Sequence, residues 1–139
     1  MLKKISMSGK YLLANMLSAF GNKNYFYDNP VVVEYNKVCE MVLNIAKQAG
    51  YVKDYNVVES DGKKNIEVWL KIIAGKKVIN DFKLFSKPSR RIYENVDELK
   101  KRYSYNPYSL CIVSTSKGIM KVNDAIENNI GGEVLCEIF

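Results

Sequence analysis

The chain has 139 residues, of which 47% are hydrophobic and 26% are charged, so the composition predicts a packed core and excludes a disordered chain. Its 21 basic and 15 acidic residues give a net charge of +6, which favours a polyanionic partner. Histidine is absent from the sequence, which excludes enzymes in which a histidine activates a serine or cysteine nucleophile.

Two helices are predicted in the first third of the chain. Apolar residues of Leu13–Phe20 fall at helical spacing, and Gly21 can end that helix. A polar and aromatic loop, Asn22–Pro30, is expected to lead to a second helix over about residues 34–49, for which Gly50 is a natural stop.

Three strands are predicted next, and they form an antiparallel meander. Their residues are β-branched and aromatic or alternate between apolar and polar, and turns are expected at Asp61-Gly62 and Gly75-Lys76. The predicted strands cover residues 51–58, 66–73 and 78–85. Residues 1–85 are therefore expected to form an N-terminal α/β domain with helices on a three-stranded antiparallel sheet.

Pro88 marks the expected end of this domain, because proline cannot donate a hydrogen bond to a strand and restricts the residue before it. Residues 86–139 are predicted to form a small mixed α+β domain, so the predicted fold class is α+β with two small domains. Strands and helices of this second domain are predicted, in chain order, over residues 90–93, 96–103, 110–114, 123–129 and 133–139.

Two segments of the second domain have the chemistry of an RNA-binding site. The basic segment, Lys83–Arg91, contains four cations and no carboxylate, and such cations bind phosphate oxygens. The hydroxyl segment, Ser114–Gly118, places three hydroxyl residues before a lysine and a glycine, and hydroxyl groups can contact a ribose 2′-hydroxyl or a base edge. The alternatives are a solvated basic loop and an ordinary serine-rich turn.

Aromatic and carboxylate groups extend these candidates. Tyr93 follows the basic segment and can stack on an unpaired base, as can the tyrosines of residues 103–108 if they do not cover the core. Glu133, after the glycine pair Gly131–Gly132, can accept hydrogen bonds from base amino groups or orient a lysine. The alternative is a plain turn with an exposed carboxylate.

Little in the sequence favours other function classes. Cys39, Cys111 and Cys136 lie among apolar residues without metal-ligand spacing, so buried thiols are expected and neither a metal nor a cofactor is predicted. An enzyme acting on small phosphorylated or acyl substrates would need convergent titratable groups, whereas the carboxylates are scattered. The start, Met1–Lys4, lacks a secretory leader, which predicts function in the compartment of synthesis.

Several motifs recur in the order of a known family. They are Ser86–Tyr93, Asp97–Leu99, Ile112–Met120, Ala125 and Gly131–Cys136, with Leu13–Leu17 and Lys37–Val52 upstream. Together they closely resemble the small-subunit ribosomal protein eight family of the bacterial and organellar type. The resemblance covers essentially the whole chain, and its most specific parts are the hydroxyl segment and the terminal Gly-Gly-Glu-Val-Leu-Cys.

The resemblance implies two small α/β domains that share an interface, in a protein that is not an enzyme. It implies binding to the central domain of small-subunit ribosomal RNA and a role in subunit assembly and translation. Neighbouring small-subunit ribosomal proteins are implied as partners, without a membrane or a small-molecule substrate. The implied RNA contacts are Ser86, Lys87, Pro88, Arg90, Arg91, Tyr93, Ser114, Thr115, Ser116, Lys117, Gly118, Gly132 and Glu133.

The chain departs from this family at several places. Ser89 stands where glycine is usual, Ala19–Gly21 replaces basic residues, and Tyr103–Ser109 replaces a glycine-rich approach to a strand. Lys121 replaces a threonine helix cap, which predicts that the last helix begins at Asn123. These departures, with the abundance of Lys, Asn, Ile and Tyr, predict a mitochondrial ribosome. The alternatives are a bacterial cytoplasmic or plastid ribosome and, for function, a non-ribosomal RNA- or protein-binding module.

Overall fold

The computed structural model describes residues 7–21, 29–87 and 89–139, with the side chains of the first helix from Leu12 onward. The predicted loop Asn22–Pro30 lies mostly outside these residues, and the predicted RNA contact Pro88 lies entirely outside them.

The described residues form an α+β fold, which confirms the predicted fold class. The helices are α1 (Met7–Phe20), α2 (Lys37–Gln48), α3 (Val96–Tyr105) and α4 (Val122–Glu127). The strands are β1 (Val31–Glu34), β2 (Val52–Ser60), β3 (Lys63–Leu70), β4 (Ile72–Ile73), β5 (Lys76–Lys77), β6 (Phe82–Leu84), β7 (Tyr93–Glu94), β8 (Leu110–Thr115), β9 (Gly118–Lys121) and β10 (Gly132–Ile138). None of the described helices is long and apolar enough to cross a membrane.

The first sheet is antiparallel and has β3 between β1 and β2. Asp61 and Gly62, with φ of 52° and 76°, form the turn between β2 and β3, because two left-handed residues match the twist of a tight hairpin. Ile66, Val68 and Leu70 are buried at every second position, as strand period predicts. The third strand is β1, so the prediction of a continuous meander is wrong.

The second sheet has the order β6-β10-β8-β9, and β7 also pairs with β10. The strand predicted over residues 78–85 corresponds to the shorter strand β6. This strand pairs with Cys136–Ile138 and does not join the first sheet. Alternating hydropathy indicates a strand but does not identify its partner, so the predicted placement is wrong. The domain division at residue 86 stays a prediction, and β6 lies before it.

A side-chain cap decides where the second helix begins, whereas the last helix begins without one. The second helix begins later than predicted because Asn36 Oδ1 accepts a hydrogen bond from Val38 N at 2.8 Å and thereby caps α2. The last helix begins at Val122 with Lys121 as its N-cap, although no side-chain hydrogen bond caps it. The predicted shift of this start to Asn123 is therefore wrong.

The two faces of the second sheet pack against different layers. One face shares an apolar cluster with α1, α2 and the first sheet, to which Ile112 and Ile138 contribute. The other face is covered by α3 and α4, through Leu99 and Ala125 among others. Burial of both faces fixes the second sheet firmly, so its strand ends can hold loops in defined positions.

All three cysteines are buried in these clusters, as predicted. Burial raises the pKa of Cys39 and of Cys111 to about 12, and it raises the pKa of Cys136 as well. The thiols are therefore protonated at neutral pH, which leaves them unsuited to nucleophilic catalysis.

Candidate RNA-binding interface

The basic segment begins within β6 and closes a tight turn before β7. Lys87 N donates to Arg90 O at 2.8 Å, and Arg90 N donates to Lys87 O at 3.0 Å. Both side chains are exposed and that of Arg91 is half-buried. Among the described residues none of these three cations has an ion-pair partner, so their charge faces solvent and can meet phosphates.

Ser86 holds the base of this turn. Its side chain is buried; Ser86 Oγ donates to Val134 O at 2.7 Å and accepts a hydrogen bond from Ile92 N at 3.0 Å. Backbone bonds from Phe85 N to Leu135 O and from Val134 N to Ile92 O fix the chain on both sides of it. The Ser86 hydroxyl therefore positions the cations and is not itself displayed to a partner.

The hydroxyl segment is the turn of a hairpin between β8 and β9. Thr115 Oγ1 donates to Gly118 O at 2.8 Å and accepts from Lys117 N at 3.1 Å, so a buried hydroxyl closes the turn from inside. Gly118 has φ of 119°, a conformation that suits glycine. Ser116 and Lys117 are exposed at the tip. Sequence reasoning missed β9, although the apolar Ile119 and Met120 after the turn were an available signal.

A row of three residues brings the two segments to the same end of the second sheet. Glu133 of β10 lies opposite Tyr93 on one side and opposite Ser114 on the other. Directly opposed residues point to the same face, and neighbouring strands lie about 4.8 Å apart. The basic segment precedes Tyr93 and the hydroxyl segment begins at Ser114, so the sheet places both within reach of one ligand.

Exposure differs sharply along this row. Tyr93 is 48% exposed, whereas Ser114 is 1% and Glu133 is 2% exposed. The alternative of an exposed carboxylate at Glu133 is therefore wrong. Ser114 Oγ has no hydrogen-bond partner among the described residues, which is uncommon for a buried hydroxyl group.

The glycine pair permits a close approach of backbones. A Cβ at Gly132 would lie 2.4 Å from Ser114 O, and a Cβ at Gly131 would lie 2.6 Å from Glu94 O. Neither distance is compatible with a side chain, so both positions must be glycine for β10 to sit between its neighbours. Gly132 thus supports the interface through packing.

The described candidate contacts therefore divide into displayed and supporting residues. The displayed side chains, exposed or half-buried, are those of Lys87, Arg90, Arg91, Tyr93, Ser116 and Lys117. The buried residues are Ser86, Ser114, Thr115, Gly118, Gly132 and Glu133. Within the described parts of the chain, no three His, Cys, Asp or Glu residues are grouped so that they could hold a metal ion.

Known proteins match this chain over most of its length. The family model described as Ribosomal protein S8 matches residues 12–139. A small ribosomal subunit protein uS8 from a Nitratiruptor species is 40% identical over 132 residues, which are 92% of this chain and 97% of that protein. Proteins of the same name from Campylobacter hominis and Campylobacter lari are 46% and 45% identical over 106 residues, 76% of this chain and 79% of each relative. The chain belongs to the ribosomal protein S8 family.

Proposed function

We propose that this protein is a structural, non-enzymatic component of the small ribosomal subunit. In this role it binds the central domain of small-subunit ribosomal RNA, contacts neighbouring ribosomal proteins, and supports subunit assembly and translation. Family membership and the name that the relatives carry, small ribosomal subunit protein uS8, support this role. The structural observation that carries it is the row Tyr93–Glu133–Ser114, which joins the basic segment to the hydroxyl segment.

The proposed mechanism separates affinity from shape recognition. The exposed Lys87, Arg90 and Lys117 bind phosphates, and release of counterions makes this binding sensitive to salt. The hydroxyl segment and Glu133 recognise the shape of the folded RNA. Ser116 is exposed at the tip of the hairpin, and the buried groups keep the hairpin in the conformation that fits this RNA.

The compartment in which this ribosome works is a separate question. The prediction of a mitochondrial ribosome is unconfirmed, and the relatives named above come from bacteria. Bacterial origin of these relatives favours the alternative, a ribosome of the bacterial cytoplasm.

Co-sedimentation tests the proposed function directly. A tagged chain expressed in its native cells is expected to migrate with small ribosomal subunits in a sucrose gradient, and fractionation of the cells identifies the compartment. Migration with a protein complex that contains no RNA and resists high salt would instead support the protein-binding alternative.

A binding assay tests the mechanism. Ser114→Ala combined with Ser116→Ala is expected to weaken binding to a central-domain RNA fragment much more than binding to generic duplex RNA. Lys87→Ala is expected to weaken both and to reduce the slope of log K against log salt by about 0.9. Lys63→Ala, an exposed cation in the first sheet, is the control. Equal losses on both RNAs for the double variant would remove shape selection from the mechanism.

A further inference from the structure

A second surface of the molecule displays aromatic side chains that the interface above does not use. We call residues Tyr103–Ser109, the last residues of α3 and the loop that follows them, the tyrosine loop. In it, Tyr105 is 94% exposed and Tyr108 is 91% exposed, the two highest values among the large hydrophobic residues described. These two rings do not pack in the core, so their burial does not stabilise the fold. Exposed aromatic groups are characteristic of binding surfaces.

The backbone of the tyrosine loop is held in place. Asn106 N donates to Arg102 O at 3.2 Å, and Asn106 Nδ2 donates to Glu137 Oε1 at 3.0 Å. Ser109 Oγ donates to Asn106 O at 3.2 Å, and Tyr51 OH donates to Tyr108 O at 3.4 Å. The two exposed rings therefore project from a fixed loop, which reduces the entropy lost on binding.

Cations lie beside one of these rings. Lys100, Lys101, Ser104 and Tyr105 line one open depression, and Lys101 and Tyr105 are one helical turn apart. Both lysines are exposed, and among the described residues neither forms an ion pair. The exposed carboxylates that precede them in α3, Asp97 and Glu98, form no ion pair with them.

Two carboxylates, Glu94 and Glu98, line a neighbouring pocket that Lys101 and Tyr105 also line, and both already accept hydrogen bonds. Glu94 pairs with Arg102, whose guanidinium also lies 4.5 Å from the centre of the Phe85 ring. The hydrogen bonds that Arg102 donates to Glu94 are the main cause of the raised pKa of Arg102. Glu98 Oε1 accepts from Asn95 N at 3.1 Å in the capping box of α3. Among the described residues, neither acid forms an ion pair with Lys100 or Lys101.

The tyrosine loop lies at the far end of the second sheet from the candidate interface. It precedes Leu110, the first residue of the six-residue strand β8, whereas the hydroxyl segment lies at the other end of that strand. A rise of about 3.3 Å per residue separates the two ends by roughly 16 Å. The tyrosine loop and the candidate interface are therefore separate places on the molecule.

We propose that the tyrosine loop, with Lys100 and Lys101, is a second RNA-binding surface that takes a single-stranded segment. Bases stack on Tyr105 and Tyr108, and the lysines bind the adjoining phosphates. Tyrosine also favours protein interfaces, but lysine is depleted there, so two unpaired lysines beside the ring favour RNA. This inference rests on the proposed function only in taking RNA as the partner of the chain.

Binding of a fluorescein-labelled oligouridine to the full chain tests the proposal by anisotropy. Tyr105→Ala combined with Tyr108→Ala is expected to weaken binding about ten- to thirtyfold, because each substitution removes the ring on which one base stacks. Tyr105→Phe combined with Tyr108→Phe keeps both rings and is expected to change the affinity less than about threefold. Lys100→Ala combined with Lys101→Ala should also weaken binding and lower the salt slope.

The interface variant Lys87→Ala with Arg90→Ala separates the two surfaces. It should weaken binding of the central-domain fragment while most oligouridine binding through the tyrosine loop persists. Unchanged oligouridine affinity in the double alanine variant of Tyr105 and Tyr108 would overturn this inference and point to a protein partner for the loop. That result would leave the proposed function intact, because co-sedimentation with small subunits tests it independently.

Discussion

The basic segment and the hydroxyl segment reach the same end of the second sheet, but they are built in opposite ways. In the basic segment, the one buried hydroxyl, of Ser86, anchors a turn whose cations are exposed. In the hydroxyl segment, Ser114 and Thr115 are buried and only the tip, Ser116 and Lys117, is exposed. Residue type alone would have assigned all these hydroxyl groups to the ligand.

Hydrogen bonding within the chain therefore distinguishes groups that shape the interface from groups that remain available to a partner. Ser86 and Thr115 each satisfy two backbone groups of the chain, so their loss should be measured mainly as stability. Lys87 and Arg90 have no ion-pair partner among the described residues, so their loss should be measured mainly as RNA affinity. Substitutions at both segments can test this division.

The largest effect is expected at Gly132, on which both segments depend. Gly132→Ala places a Cβ 2.4 Å from Ser114 O, so β10 must move away from β8 at a cost of about 3 kcal/mol or more in the free energy of unfolding. Urea unfolding of the purified chain measures this cost.

Gly21→Ala is the matched control for this substitution. Apart from its two neighbours in the chain, the nearest atom to its Cβ would be Ser18 O at 3.5 Å, an ordinary contact distance, so a change below about 0.5 kcal/mol is expected. Similar stability of the two variants would mean that β10 and β8 do not approach as closely as described.

Ser86→Ala is expected to have the next largest effect. It removes a buried donor to Val134 O and a buried acceptor from Ile92 N, which should cost about 2 kcal/mol in unfolding free energy. Ser89→Ala, at an exposed serine of the same turn, should cost less than about 0.5 kcal/mol. A Ser86→Ala variant of full stability that had lost RNA affinity would place the Ser86 hydroxyl on the ligand side.

Thr115→Val should be milder. The isosteric change removes the hydroxyl group that donates to Gly118 O and accepts from Lys117 N. The backbone N–H of the exposed residue Lys117 can donate to water instead. A loss of about 1 kcal/mol in unfolding free energy is expected. Ser116→Ala at the tip is the control and should leave stability unchanged. Equal stability of the two variants would contradict the internal role of Thr115.

Local residue patterns predicted the ends of elements and the burial of side chains better than they predicted which strands pair. The helix ending at Phe20, the Asp61-Gly62 turn and the buried cysteines follow from spacing and residue type, and all are confirmed. The partner of Phe82–Leu84 does not follow, because the residues that it pairs with, Cys136–Ile138, are remote in sequence. Long-range pairing is decided by the whole core, which a local pattern does not report.

The candidate site shows the same limit. Motif and charge located both segments, but the burial of Ser114, Thr115 and Glu133 depends on strands that are remote in sequence. The clash that requires glycine at position 132 is likewise visible only when β8 lies beside β10.

The smallest effect on stability, and the sharpest test of the division, is expected for Ser114→Ala. Ser114 Oγ is buried without a hydrogen-bond partner among the described residues, so removing it should change the unfolding free energy by less than about 0.5 kcal/mol or raise it slightly. If this hydroxyl instead serves RNA, affinity for the central-domain fragment should fall about fivefold, the equivalent of one hydrogen bond of about 1 kcal/mol. Unfolding and binding curves for Ser114→Ala and Thr115→Val then separate an RNA contact from an internal structural role. Ser114→Ala should lose RNA affinity alone, and Thr115→Val should lose stability. A marked loss of stability in Ser114→Ala would assign its hydroxyl to the interior, and full retention of both properties would remove Ser114 from the RNA contacts.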